Sequence, residues 1–122
     1  IGITKNVFII RFYNGKKSFI DKVFINPKII KHSKQQVESL EGCLSIQDTY
    51  GYVIRNEEVT LQYLNEVGLL KKQKFQEFDS CVVQHESDHL NGILFISKLI
   101  DNKTYTEKEI DEKLKKEKNE KK

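Results

Sequence analysis

The sequence has no methionine and no tryptophan, one proline and two cysteines. Each shortage excludes something. A newly translated chain starts with methionine, so Ile1 reads as a processing or truncation point, and IGITKNVFII enters a strand-like pattern at once. Two cysteines in 122 residues, without secretory features, exclude a disulfide framework and leave reduced thiols or a metal ligand. No apolar run approaches the roughly 20 residues of a membrane span, and no signal-peptide layout opens the chain. The expectation is a soluble, cytosolic protein that does not enter a membrane.

Basic charge is also scarcer than it looks. The net charge is +3, but the final eight residues, KKEKNEKK, carry +3 on their own, which leaves residues 1–114 formally neutral. A nucleic-acid binder spreads basic charge over a face of its fold, so a basic tail gives no reason to expect specific DNA binding. What is present suits one modest domain: 38% hydrophobic and 32% charged residues.

Strand signals fill the first third. Val7-Phe8-Ile9-Ile10 is an apolar run, and Asn14-Gly15 is a hairpin turn signal because both residues tolerate positive φ. Val23-Phe24-Ile25 is expected to end at Asn26-Pro27, with a new short strand at Ile29-Ile30. Residues 31–39 read as a loop or exposed strand. Val59, Leu61 and Tyr63 alternate with polar residues, as in a half-buried strand, and Asn65–Gly68 reads as a turn before a weaker strand. Asp79 and Ser80 offer N-caps for a helix in which Cys81, Val82, His85, His89 and Leu90 recur at helical spacing, with Gly92 at its C-terminal cap. Thr106 and Glu109 form a capping box for a last helix whose apolar stripe holds only Ile110 and Leu114. Strands first and helices late predict an α+β domain.

The segment QHESDHLNG, residues 84–92, raises the chemical question. On a helix, residues four apart share a face, so His85 and His89 can aim at one ion. Glu86 lies about 100° round the helix, too close in sequence to ligate comfortably but able to reach a water on that ion. An ordinary polar helix face with two incidental histidines fits as well. A catalytic ion needs a third protein ligand. A third histidine after Gly92 fails, because Phe95 occupies its position. Glu107 or Glu109 could serve from the last helix. Cys81 could hardly share the ion, because residues at i, i+4 and i+8 span about 12 Å, and a buried small side chain explains it better. Cys43, preceded by Gly42, could be a thiolate ligand or a half-buried strand residue.

Taken together, EGCLS at 41–45 and QHESDHLNG at 84–92 resemble the peptide deformylases, and VFINPKII at 23–30 looks like the segment upstream of that family's cysteine motif. The likeness extends over residues 1–104, leaving 105–122 as a C-terminal helix and basic tail. It implies antiparallel strands packed around a central metal-binding helix. It implies Cys43, His85 and His89 as ligands of a divalent ion, iron(II) first, with zinc, nickel or cobalt as substitutes. Glu86 would be the general base and the backbone N–H of Leu44 an oxyanion donor. Gly42 would meet a peptide bound as an added strand. Phe78, Cys81 and Val82 match positions lining a methionine pocket. Glu41 and Arg55 match a structural charged pair, and Gln84 and Asp88 supporting positions around the histidines.

The implied substrate is the N-formyl-methionine end of a new polypeptide, in a bacterial cytoplasm or an organelle, with a ribosome contact through the lysine-rich tail. The family's glycine-rich motif ending in glutamine has no match here, nor has its N-terminal helix, because the chain starts one position too late. Losing such an oxyanion donor costs about 10²–10³ in rate, so the resemblance implies a metal site with little or no turnover. Gln47 stands where a proline often follows the cysteine motif, and Glu77 where a glycine usually precedes the helix. Two other readings remain open: a zinc peptidase using His85, His89 and a late glutamate, and a non-catalytic relative that binds metal, peptide or ribosome.

Overall fold

The computed structural model describes residues 6–13, 15, 18–43 and 46–120, with the side chains at 43, 46, 47 and 118–120 left aside. Six strands precede two α-helices, which makes the chain an α+β protein: β1 (Val7–Tyr13), β2 (Phe19–His32), β3 (Gln36–Cys43), β4 (Ile46–Asn56), β5 (Glu58–Leu64), β6 (Leu70–Gln76), α1 (Glu77–Leu90) and α2 (Glu107–Glu120). Two single-turn 3₁₀ helices lie between α1 and α2. No helix among the described residues is long and apolar enough to cross a membrane. The chain divides into two compact units, Ile1–Val37 with Arg55–Ile93, and Glu38–Ile54 with Leu94–Lys122.

The first unit holds an antiparallel sheet in the order β1-β2-β5-β6. Val59, Leu61 and Tyr63 are buried and alternate with half-buried polar residues, as their spacing predicts. They join Phe8, Ile10, Phe24, Phe75 and Val83 of α1 in one core, with Phe24 ringed by Phe8, Phe12, Tyr63 and Phe75 at centroid distances of 4.6–6.4 Å. Burial, and then the charge of Glu66, push the Tyr63 hydroxyl above its ordinary pKa, and that hydroxyl donates to Gln73 Oε1 at 3.1 Å. β6 is an edge strand, and its three lysines blunt it against further pairing.

Two sequence expectations need correcting here. Asn26-Pro27 does not stop a strand; β2 runs straight through, with register shifts between Ile25 and Lys28 and between Ile29 and Lys31. Proline is tolerated because it falls within the register shift between Ile25 and Lys28, and the preceding Asn26 takes a left-handed conformation (φ 50°) with its N–H donated to Asn6 O at 2.7 Å. β1 and β2 pair as antiparallel neighbours down to Tyr13 and Phe19, on either side of the Asn14-Gly15 signal. Gly15 has φ 82°, and Asn14 lies outside the described residues.

The start of α1 is the other correction. Neither Asp79 nor Ser80 caps it: the N-cap is Gln76, without a side-chain cap, and Asp79 falls inside the acidic first turn. The helix is entered through Glu77 at φ 54°, whose N–H is held by Glu57 O at 2.9 Å. That backbone favours the glycine that the family resemblance leads one to expect. The exit follows expectation. Gly92 (φ 74°) donates to His89 O at 3.0 Å and Ile93 donates to Asp88 O at 2.8 Å, which is a Schellman closure.

In the second unit β3 and β4 pair, and α2 opens with the expected reciprocal box: Thr106 N–H to Glu109 Oε1 at 3.1 Å and Glu109 N–H to Thr106 Oγ1 at 3.2 Å. Its apolar stripe is as thin as the sequence suggests, with Ile110 buried and Leu114 exposed. Lys113 adds a contact that hydropathy does not show, with its Nζ 4.4 Å from the Tyr52 ring centroid and 5.2 Å from that of Tyr105. Left-handed backbone costs an L-residue about 1–2 kcal/mol, part of which glycine returns as unfolded-chain entropy. Glu77→Gly is therefore expected to raise stability by about 0.5–1 kcal/mol in urea unfolding, and a loss of that size would refute the strain.

Candidate metal centre

The helix α1 carries every candidate residue from 78 to 89. His85 and His89, one turn apart, have ring centroids 4.5 Å apart with 44° between the planes. One ligand atom each from His85, Glu86 and His89 lies within 4.8 Å of the others, and all three residues are half-buried. Among the described residues this is the group of three whose donor atoms converge tightly enough to hold an ion. Two imidazoles with an adjacent carboxylate suit a borderline divalent ion. The carboxylate of Glu86 comes close enough to serve a water beside such an ion.

What holds these side chains in place is polar and buried. Gln84 directs its whole amide at Asn56: Nε2 donates to Asn56 O at 2.8 Å, and Oε1 accepts from Asn56 N–H at 3.0 Å. The same Nε2 reaches Ser80 O and Oγ at 3.1 and 2.9 Å, and Ser80 Oγ donates to Asn56 O at 2.9 Å. Asn56 in turn donates from Nδ2 to Ser33 O at 3.0 Å, and Ser33 Oγ accepts from Glu58 N–H at 3.1 Å. Arg55 Nη1 pairs with Asp88 Oδ2 at 2.5 Å, with side chains 2% and 16% exposed. The turns before and between the two histidines are thus fastened to the β4–β5 junction. Sequence reading singled out Gln84, Asp88 and Arg55 but missed Asn56, Ser80's bond and Ser33. Their roles depend on contacts across more than twenty residues, which leave no local pattern.

The remaining candidates are distributed as follows. Phe78, 77% exposed, and Val82 line one groove of about 350 Å³ with Ile10, Phe12, Tyr13 and Phe19. Cys81 is buried and is not part of that lining. Gly42 lies in β3, where an added Cβ would come within 2.7 Å of the Tyr50 ring, so close ring approach alone accounts for a glycine there. Cys43 ends β3; its side chain and the whole of Leu44 lie outside the described residues.

Comparison with known proteins gives the family. The profile of the family described as polypeptide deformylase matches residues 1–105, and the chain belongs to that family. A peptide deformylase from Listeria welshimeri is 42% identical over 98 residues, covering 78% of this chain and 54% of the relative. Peptide deformylase 2 from a Nostoc species is 44% identical over 89 residues, covering 72% and 50%. The chain spans about half the length of the curated relatives it matches. Among solved structures, a probable peptide deformylase from Synechococcus phage S-SSM7 superposes with a TM-score of 0.72 at 35% identity, over 76% of this chain and 63% of that one. The class I type b peptide deformylase from Acinetobacter baumannii, solved with Met-Ala-Ser bound, gives 0.70 at 37% identity, over 77% and 62%.

Removing one partner of a buried ion pair costs about 3–5 kcal/mol. Arg55→Ala is expected to fall at the low end, about 3 kcal/mol in chemical denaturation, because Asp88 keeps some solvent. A loss below about 1 kcal/mol would show that the pair does not hold the helix.

Proposed function

We propose that this chain carries a metal-dependent amide-hydrolase site that removes the formyl group from the N-terminal methionine of newly made polypeptides. The observation that supports this most directly is the convergence of His85, Glu86 and His89 on one helix face in a member of the deformylase family. Residues 1–104 form the catalytic core. Cys43, His85 and His89 would hold the ion, iron(II) first, although a thiolate with two imidazoles suits zinc equally and nickel or cobalt can substitute. When bound, such an ion supplies a polarised formyl carbonyl and a water of lowered pKa.

The rest falls to the chain's own groups. The Glu86 carboxylate accepts a proton from the attacking water and returns it to the departing amine, so that formate and a free N-terminus result. The backbone N–H of Leu44 donates to the oxygen that becomes negative. Backbone groups at Gly42 take the peptide as an added strand, which leaves its sequence largely unread. Phe78, Cys81 and Val82 receive the methionine side chain, a role that the groove beside Phe78 and Val82 supports for two of the three. The lysine-rich end of α2 would contact the ribosome, in a bacterial cytoplasm or an organelle. A zinc peptidase using Glu109 is less favoured, because that carboxylate is engaged in the box at the start of α2.

Cobalt(II) added anaerobically to the reduced protein tests the ligand set. A thiolate-to-cobalt absorption band is expected, lost in Cys43→Ala and kept in Cys81→Ala. Tetrahedral cobalt bands without it would overturn Cys43 as ligand. With the band present, formate release from a formyl-methionyl peptide should drop by about 10²–10⁴ in Glu86→Gln while the band stays. No formate above background from the loaded parent chain would leave a metal site and overturn the hydrolytic assignment.

A further inference from the structure

Asparagine is followed by glycine at Asn14-Gly15 and again at Asn91-Gly92, and the second pair closes the helix that carries the histidines. Such a pair can react with itself. The backbone nitrogen of the glycine can attack the asparagine Cγ, and a glycine has no Cβ to shield that nitrogen. The attack expels ammonia and leaves a five-membered imide. Water then opens the ring at either carbonyl to give aspartate or isoaspartate, so one water enters and one ammonia leaves. Isoaspartate routes the main chain through its side-chain carbon and lengthens it by one atom.

Asn91 and Gly92 are both exposed, so water reaches them, but the folded backbone holds the reaction off. Asn91 sits at φ −95° and ψ 10°, which lays the Gly92 nitrogen almost in line with Asn91's own nitrogen, one tetrahedral position away from Cβ. Ring closure needs that nitrogen beside Cβ. Rotating ψ to bring it there breaks the bond from Gly92 N–H to His89 O at 3.0 Å and pulls on the one from Ile93 N–H to Asp88 O at 2.8 Å. The side chain is tied as well, with Nδ2 donating to Ser87 O at 3.1 Å. A Cβ added at Gly92 would meet nothing within 4 Å, so packing does not account for this glycine; its φ of 74° does. The closure thus uses the residue that makes the pair reactive and restrains it at the same time.

We propose that Asn91-Gly92 is a site of spontaneous deamidation, held unreactive by the closure of α1 and reactive whenever that end of the helix opens. The restraining bonds run from Ser87 to Ile93, and His89 lies among them. An isoaspartyl link puts an extra atom inside the closure, so the N–H groups of Gly92 and Ile93 no longer both meet the carbonyls one turn back. His89 loses the support that ends its turn, and the modified chain holds a metal less tightly. That consequence rests on the reading of His89 as a ligand; the deamidation does not.

The full chain, folded and in urea, is incubated in mildly alkaline buffer and mapped by mass spectrometry, with isoaspartyl peptides resolved by chromatography. An end of α1 that is closed about nine-tenths of the time or more should make Asn91 react at least about tenfold more slowly in the folded chain than in urea. In urea Asn91 should react as fast as Asn14, which has the same neighbour. Ile93→Pro removes the donor to Asp88 O and should bring the folded rate towards that in urea. Equal rates in the folded chain and in urea would overturn the restraint, and no reaction at Asn91 in urea while Asn14 reacts would overturn the site. In cobalt(II) titrations the isoaspartyl form should bind about tenfold more weakly than the parent, whereas Asn91→Asp, with the same charge on an unaltered backbone, should bind like the parent. Equal binding by the isoaspartyl form would overturn the link to His89. A parent chain that binds no cobalt would overturn the metal reading and leave the deamidation rates unchanged.

Discussion

Both ends of the Gln84 amide are committed to the backbone of Asn56, and the residue that follows Gln84 is His85. This reciprocal pair fixes how α1 lies on its sheet. An amide buried without partners costs about 1–3 kcal/mol per unsatisfied group, so the helix cannot turn about its axis or slide without a large penalty. Because Asn56 also bonds Ser33 O, and Ser33 Oγ meets Glu58 N–H, the segments before β3 and between β4 and β5 share the constraint. The imidazoles of His85 and His89 inherit their positions from this anchoring. The Arg55–Asp88 pair repeats it one turn further on.

The ends of α1 are secured by backbone instead of by side-chain caps. Glu77 enters through a left-handed conformation held by Glu57 O, and Gly92 leaves through another. Residues just inside the helix are then free of capping duty. Ser80 can turn its hydroxyl to Asn56, and Phe78 can lie open beside Val82 in a groove. A helix capped by Asp79 or Ser80 would have started later and lost that first turn. The geometry around the histidines therefore depends on a strained residue eight positions upstream.

Much of this was legible in the chain itself. The two-residue alternation of Val59, Leu61 and Tyr63, the four-residue spacing of the histidines, the box at Thr106 and Glu109, and Gly92 as a terminator are local patterns tied to local geometry. Motif resemblance pointed to the family and to His85 and His89, which α1 brings together with Glu86, whereas the Cys43 side chain lies outside the described residues. Where local reading failed, at Asn26-Pro27 and at the start of α1, a neighbouring strand settled the matter. Asn6 and Ile25's partners keep β2 continuous, and Glu57 O holds the N–H of Glu77.

By itself, then, the sequence determined which residues could do chemistry and which face of α1 they share, because helical periodicity converts spacing into direction. Tertiary structure decided what surrounds them. That Gln84 meets Asn56 and that Arg55 meets Asp88 are consequences of register and packing between distant segments. A one-residue change of strand register would turn the strand side chains among these to the opposite face, and no spacing within a single segment records which register is adopted.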